Sequence, residues 1–286
     1  ILSCLLISTY AFWSTGHMIV ARIAYDQLLE KSPDLLHKME EEIDILKPFS
    51  VEQNHSFVES AVWPDDNKEI GLKMFNMWHV NDIPYIKPNF SGDIHKENEN
   101  NVWAIKEMID TLSFNGTPKI NTGLASSFSW RYLIHLVGDI HQPLHASTLY
   151  SSEFPHGDKR GHNFKIDYAE GKNELHSFWD SCLDQFGSIW APLTEEEWEL
   201  IGRFSELITV IHPRSSLFER LQITDPEVWA EESHELAKEV VYKGIKLGEK
   251  PSKKYLDKGR NVIIEQLALA GYRLADLMET LALKRN

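Results

Sequence analysis

Two His-x3-Asp pairs, each set inside an apolar helical segment, constrain this chain more than any other feature. His135 and Asp139 lie among Trp130, Leu133, Ile134 and Leu136. His176 and Asp180 lie among Leu175, Phe178 and Trp179. On a helix, residues four apart project from one face about one turn apart. One such pair reads as a surface ion pair. Two of them on apolar faces do not, because buried charged groups are costly unless they are paired or bind metal. Imidazole and carboxylate donors together are zinc chemistry. Pro143 cannot continue the first helix, so the chain turns there and His145 is aimed differently from His135. Two such pairs with a third His nearby are the donor set of a zinc site.

The remaining periodicity is helical as well. Apolar positions recur at helical spacing over residues 17–46, 98–113, 124–141, 173–186, 194–210, 226–247 and 256–283. Only Phe164–Tyr168 alternates like a strand. Pro and Gly mark loops at Trp63-Pro-Asp-Asp, Ile83-Pro-Tyr, Asn115-Gly-Thr-Pro and 155–161. No repeat or linker interrupts the pattern. The expectation is an all-α chain, a single mainly helical domain over 12–286 with little or no sheet.

Charge and cysteine usage narrow the function. The 286 residues include 29 basic and 43 acidic residues, a formal net charge of -14. A basic surface that binds nucleic acid by neutralising phosphates is excluded. With two cysteines, so are a disulfide scaffold and a cysteine-ligated zinc finger. Residues 1–11 are uncharged and mostly apolar, and too short to span a bilayer, which takes about 20 apolar residues. They read as the tail of a secretory signal peptide, with Thr9 and Ala11 at the cleavage positions and Phe12 as the first mature residue. The competing reading is a buried N-terminal strand or helix. Sequons at Asn54, Asn89 and Asn115 fit export and N-glycosylation. The destination is then secretion, or a lysosome- or vacuole-like compartment. No second apolar run is long enough for a membrane anchor.

Further donors lie upstream: His17 after Gly16, Asp65 after Trp63-Pro64, and His79 in Trp78-His-Val-Asn-Asp82. With these on the page the chain resembles the zinc-dependent, single-strand-specific nucleases of the S-one/P-one type. That family shares its fold with the three-zinc bacterial phospholipases C. The resemblance runs from Phe12 to about Leu283. It is carried by Gly16-His17, Val62-Trp-Pro-Asp65, Trp78-His79-Val-Asn-Asp82, His135 to His145, Gly157-Asp158 and Glu174-Leu-His176-Ser-Phe-Trp-Asp180. Trp229-Ala-Glu-Glu-Ser233 and Leu269-Ala-Gly-Tyr-Arg-Leu-Ala275 complete the ordered set.

The resemblance implies three zinc ions. Asp65, His79, His135 and Asp139 would hold the first, and His145, His176 and Asp180 the second. Asp139 would bridge to a third, completed by His17 and the backbone amine and carbonyl of the first mature residue. In the relatives that residue stands five positions before the His. This selects Phe12 rather than Trp13, in agreement with the cleavage pattern. The implied reaction is hydrolysis of single-stranded DNA and RNA to 5′-phosphate products, with 3′-nucleotidase activity. Hydroxide from a water shared by two zinc ions would be the nucleophile, and no stable protein partner is implied, so a monomer is expected. Asp65 and Asp139 would serve catalysis as ligands, and Lys68 stands where the family has a charge-stabilising Arg. Asp82 matches a base-contacting carboxylate, although capping the Ile83-Pro turn would also explain it.

Some positions depart from the family. Arg160 and His162 replace a Gly and an Asn of a Gly-Asp-x-Gly-Gly-Asn stretch and are candidate substrate contacts. Arg is unfavourable at position 160 if that position needs a positive φ. Val80 stands where some relatives place a base-stacking aromatic. His141 reads as a supporting or turn residue. His37, His55, His95, His156, His212 and His234 carry no motif and read as surface. Two rival functions share these residues: a phospholipase C-like phosphodiesterase, and a secreted protein whose zincs are only structural.

Overall fold

The computed structural model describes residues 12–49, 56–88, 90–94, 97–114 and 123–285. Residues 1–11, expected above to be the tail of a signal peptide, and the sequon asparagines Asn54, Asn89 and Asn115 lie outside the described residues, as do His55 and His95. The architecture is mainly helical, as the periodicity predicts.

Helix α1 (Ser14–Lys31) opens the fold and is buried over most of its circumference. It packs against α10 (Lys253–Arg285), α7 (Glu195–Ile211) and α5 (Gly123–Ile140). Gly271 of α10 is what lets α1 come so close. A Cβ there would stand 2.5 Å from Cβ and Cγ2 of Ile23. α5 runs through the middle of the core, with Trp130, Tyr132, Leu133, Ile134, Leu136 and Val137 all fully buried. It carries the first His-x3-Asp pair into the interior.

The helix expected over 17–46 is two helices. α1 ends at Lys31, and α2 (Pro33–Asp44) begins with Pro33 in its first turn. Proline is pre-set for that position but cannot sit in a helix interior. The α2 face bearing Leu36, Met39 and Ile43 is buried. Arg131 of α5 donates to the Ile43 carbonyl through Nε and Nη2, satisfying an end group of that helix.

The ligand-bearing elements between these long helices are short. Residues 59–62 and 73–79 form 3-10 turns on either side of α3 (Trp63–Glu69). After α4 (Asn101–Leu112) and α5, a 3-10 turn over 143–146 leads on. The helix expected over 173–186 is only α6 (Leu175–Asp180). Cys182, Leu183 and Asp184 follow with φ of 53°, 53° and 60°, a left-handed run that stops the helix. α8 (Phe218–Leu221) and α9 (Pro226–Leu236) precede α10. α9 passes into a π-helical turn at Ala237–Val241, so the pattern read over 226–247 is not one α-helix.

The only strands among the described residues are β1 (Pro84–Ile86) and β2 (Thr148–Tyr150), paired in parallel with Pro84 opposite Thr148. The expected strand Phe164–Tyr168 does not form. Lys165 makes one isolated bridge to Glu174, and Asp167 N–H instead donates to the Glu249 carbonyl. The β1–β2 pair follows two ligand turns, those ending at His79 and Ala146, and ties them side by side. No helix of the described residues is long and apolar enough to cross a membrane. Cys182 is a buried free thiol.

Candidate metal centre

The eight His and Asp side chains singled out as ligands converge from six elements. His17 comes from the first turn of α1, Asp65 from the start of α3 and His79 from the end of the 73–79 turn. His135 and Asp139 come from the last turns of α5, His145 from the 143–146 turn, and His176 and Asp180 from α6. Every one of them is buried, with 3% exposure or less.

Their donor atoms form three groups that could each hold a metal ion. These are His79–His135–Asp139, His17–Asp65–His135 and His145–His176–Asp180, with donors in each group within 4.8 Å of one another. Asp139 lies at the centre. Its Oδ2 is 3.0 Å from both His79 Nδ1 and His135 Nε2, and its Oδ1 is 3.4 Å from both His17 Nε2 and His145 Nδ1. Asp180 accompanies the second pair, 3.1 Å from His176 Nε2 and 3.5 Å from His145 Nε2. The His17 ring stacks on His135 at 3.9 Å between centroids.

Backbone carbonyls fix three of the rings. His135 Nδ1–H donates to Ala61 O at 2.6 Å, His145 Nδ1–H to His79 O at 2.8 Å, and His176 Nδ1–H to Arg160 O at 2.8 Å. A ring nitrogen that donates to a carbonyl fixes the tautomer and leaves the opposite nitrogen a lone-pair donor. In all three cases that nitrogen, Nε2, is turned toward the carboxylates.

The donors fit a metal for a second reason. Both ring nitrogens of His17, Nε2 of His79 and His145, Oδ1 of Asp139 and Oδ2 of Asp180 are buried with no hydrogen-bond partner. A buried polar atom left unpaired costs about 1–3 kcal/mol, and six at one spot demand a ligand. Borderline-hard nitrogen and oxygen donors suit zinc.

The electrostatics match. Burial, then the Lys68 charge, push the His79 imidazole down to about 3, so it is neutral and ready to coordinate. Burial would raise the Asp139 carboxyl, but His135 and His145 beside it hold it well below its ordinary value. Burial alone would lower His135; Asp139 and Asp65 carry it above instead. Lys68 Nζ donates to Asp65 Oδ1 at 2.5 Å from a side chain 22% exposed, at the rim of the cluster.

The pattern has a name among known proteins. The family description S1/P1 Nuclease matches residues 12–283. The chain belongs to the S1/P1 nuclease family. Endonuclease 1 of Arabidopsis thaliana is 27% identical to it, over 95% of this chain and 88% of the relative. Nuclease S1 of Aspergillus oryzae is 23% identical, over 96% of this chain and 93% of the relative. Endonuclease 3 of Arabidopsis thaliana is 26% identical, over 91% and 85%. This S1/P1 nuclease is a hydrolase of nucleic-acid phosphodiester bonds.

The other residues singled out in the sequence lie around this centre. Phe12 is fully buried, with its ring edge-on to His17 at 6.4 Å. Trp13 N–H donates to the Asp180 carbonyl, which draws the start of α1 to the second His-Asp pair. Arg160 has a φ of 60°, so the Gly position does require the left-handed region, and Arg occupies it. Its Nη1 donates to both oxygens of Asp82, at 2.8 and 2.9 Å. Asp82 also accepts from Thr148 Oγ1, so it bonds across the fold rather than capping the Ile83-Pro turn. The His162 ring packs on His176 at 3.9 Å, and its Nδ1 lies 3.1 Å from Glu174 Oε2. Burial, then His176, push it down to about 4.

His234 is not on the surface. It is buried with Nδ1 3.1 Å from Ser147 Oγ. His141 is a fully buried strut: Nδ1–H donates to Val137 O, and Nε2 accepts from Arg273 Nη1 at 2.9 Å. Sequence reasoning missed Gln142, whose Nε2 donates to Asp180 Oδ1 at 2.6 Å and holds that carboxylate in place. Its position between two ligands, immediately before Pro143, was the available signal.

Proposed function

We propose that the chain is an exported nuclease that uses three zinc ions to cut single-stranded DNA and RNA to 5′-phosphate products, and that also removes 3′-phosphates from nucleotides. The buried, unpaired donor atoms converging on Asp139 carry this reading. Asp65, His79, His135 and Asp139 would hold one zinc, and His145, His176 and Asp180 a second. Asp139 and His17 would share the third with the backbone amine and carbonyl of Phe12. This last site needs a free amine, so the reading includes removal of residues 1–11; separately, it takes the enzyme as a monomer over 12–286, glycosylated at Asn54, Asn89 or Asn115. Zinc bound there supplies a water ionised near neutral pH and neutralises charge on the phosphate.

The protein's own groups do the rest. The three carbonyl-anchored imidazoles keep their donor nitrogens aimed inward through the reaction, so little reorganisation accompanies charge development. Asp139, deprotonated at all ordinary pH, holds the two halves of the centre at a fixed spacing. Lys68 at the rim places an ammonium where negative charge gathers on the phosphate, a point charge without the planar fork of Arg.

The test is digestion of single-stranded and duplex polynucleotides by the purified protein, with end-group analysis. The expected result is rapid loss of the single strand with 5′-phosphate ends, abolished by chelator and restored by zinc. Hydrolysis of phosphatidylcholine in preference to either polymer would overturn the reading.

Gly138 offers a second check. A Cβ at this α5 position would stand 2.8 Å from His17 Nδ1. Gly138→Ala therefore displaces the His17 ring. Supporting positions around metals are worth roughly 10–100-fold in metal affinity or activity, and a loss of that size is expected. Bound zinc measured per chain should fall by about one equivalent.

A further inference from the structure

Beside the metal centre lies a cavity of about 440 Å³ whose wall includes Asn81, Asp82, Asn100 and Trp103. Its wall is tied to the centre through the backbone, since Asn81 N–H donates to the carbonyl of His145. A polynucleotide with its phosphate at the centre must lay an adjoining base somewhere, and an indole beside a carboxylate is base-binding chemistry; the Asn100 amide is already committed to Trp103 N–H, Asn81 Oδ1 and the Glu97 carbonyl. Asp82 is the charged acceptor in that wall nearest the ligands in sequence, three residues beyond His79.

Asp82 is not free to read a base. Both its oxygens accept from Arg160 Nη1, and Oδ1 accepts from Thr148 as well. The pair is partly open, with the two side chains 22% and 15% exposed for Arg160 and Asp82. Arg160 holds this position from a backbone conformation that disfavours any residue with a Cβ. The guanidinium Nε is buried with no partner, so the hydrogen bonds to Asp82 are what it gains there.

We propose that Arg160 is a specificity-determining residue that masks Asp82, making the cleft indifferent to bases that a free carboxylate would select. A free carboxylate accepts two parallel hydrogen bonds from guanine, N1–H and N2–H, but at most one such donor edge from adenine. With Asp82 neutralised and its oxygens occupied, that distinction is lost. The proposal rests on the nuclease reading above.

The experiment maps cleavage positions on one single-stranded oligonucleotide of mixed sequence, so that cuts adjoining guanine and adenine are compared within the same digest. The wild-type protein is expected to cut at both with similar frequency. Arg160→Gly removes the mask and relaxes the backbone, and the carbonyl that anchors His176 stays in place. It should raise the guanine-to-adenine ratio roughly tenfold, the worth of one added hydrogen bond to a charged group. The double variant Arg160→Gly with Asp82→Asn should lose that gain. An active Arg160→Gly protein with full zinc content and an unchanged ratio would overturn the proposal. So would a gain that survives Asp82→Asn. If the wild-type protein with zinc cuts neither base, the nuclease reading itself fails, and the proposal with it.

Discussion

Asp139→Asn is expected to lower kcat by about 1000-fold while leaving the protein folded. Asn keeps the shape of the side chain and removes its charge. Asp139 lies within 3.4 Å of four imidazoles, His17, His79, His135 and His145, and through His145, which also lies 3.5 Å from Asp180, it is linked to the second His-Asp pair. Metal-assisted charge stabilisation is worth several kcal/mol, and each 1.36 kcal/mol is a factor of ten in rate. Losing the bridge therefore costs about three powers of ten. Zinc per chain, measured after dialysis, should fall with it. Full activity in this variant would mean that the reaction does not run through the bridged centre.

Stripping the metal is the second large effect, and it is one of stability. A site filled at a thousandfold excess of ligand over Kd contributes about 4 kcal/mol. For a chain of this size each kcal/mol moves Tm by about 2–4 °C. Loss of even one site should lower Tm by roughly 10 °C, and loss of all of them by more. The reason is visible in the cluster: without a cation, six buried donor atoms stay unpaired and Asp139 and Asp180 keep their charge in the core. A melting curve with and without chelator, followed by zinc add-back, measures it. Stripping should become easier as pH falls. Carboxylate neighbours hold His135 and His145 above the ordinary histidine value, although burial opposes them, so protons displace metal from these rings sooner. An unchanged Tm on chelation would contradict the metal reading.

Much of this centre was legible because its spacing is local. His135 with Asp139, and His176 with Asp180, share a helix face whatever the rest of the chain does. Joining them to His17, Asp65 and His79 took the ordered motifs, since no local rule links residues more than fifty positions apart. The Ser32–Pro33 break was legible in principle, because Pro states where a helix must restart, and the apolar rhythm across 17–46 hid it. Cys182, Leu183 and Asp184 were not legible: left-handed backbone at three residues that carry Cβ atoms is imposed by tertiary packing. Nor was the Asp82–Arg160 pair, whose members are 78 positions apart. Phe164–Tyr168 shows the converse error. Its alternation reflects burial of Phe164 and Ile166 on one side of a loop, not a ladder.

The carbonyl anchoring of His135, His145 and His176 has a consequence for how such a centre can change over time. The groups that aim these rings belong to Ala61, His79 and Arg160, but to their main chains. No point mutation deletes a carbonyl. Side chains at positions 61 and 160 can therefore drift without disarming the imidazoles, provided the backbone path is kept. Arg160 illustrates this: a bulky cation stands at a position shaped for glycine, and His176 keeps its partner. The chemistry is insulated from the very loop that borders the substrate cleft, which leaves that loop open to experiment in substrate choice while the hydrolytic machinery is inherited intact.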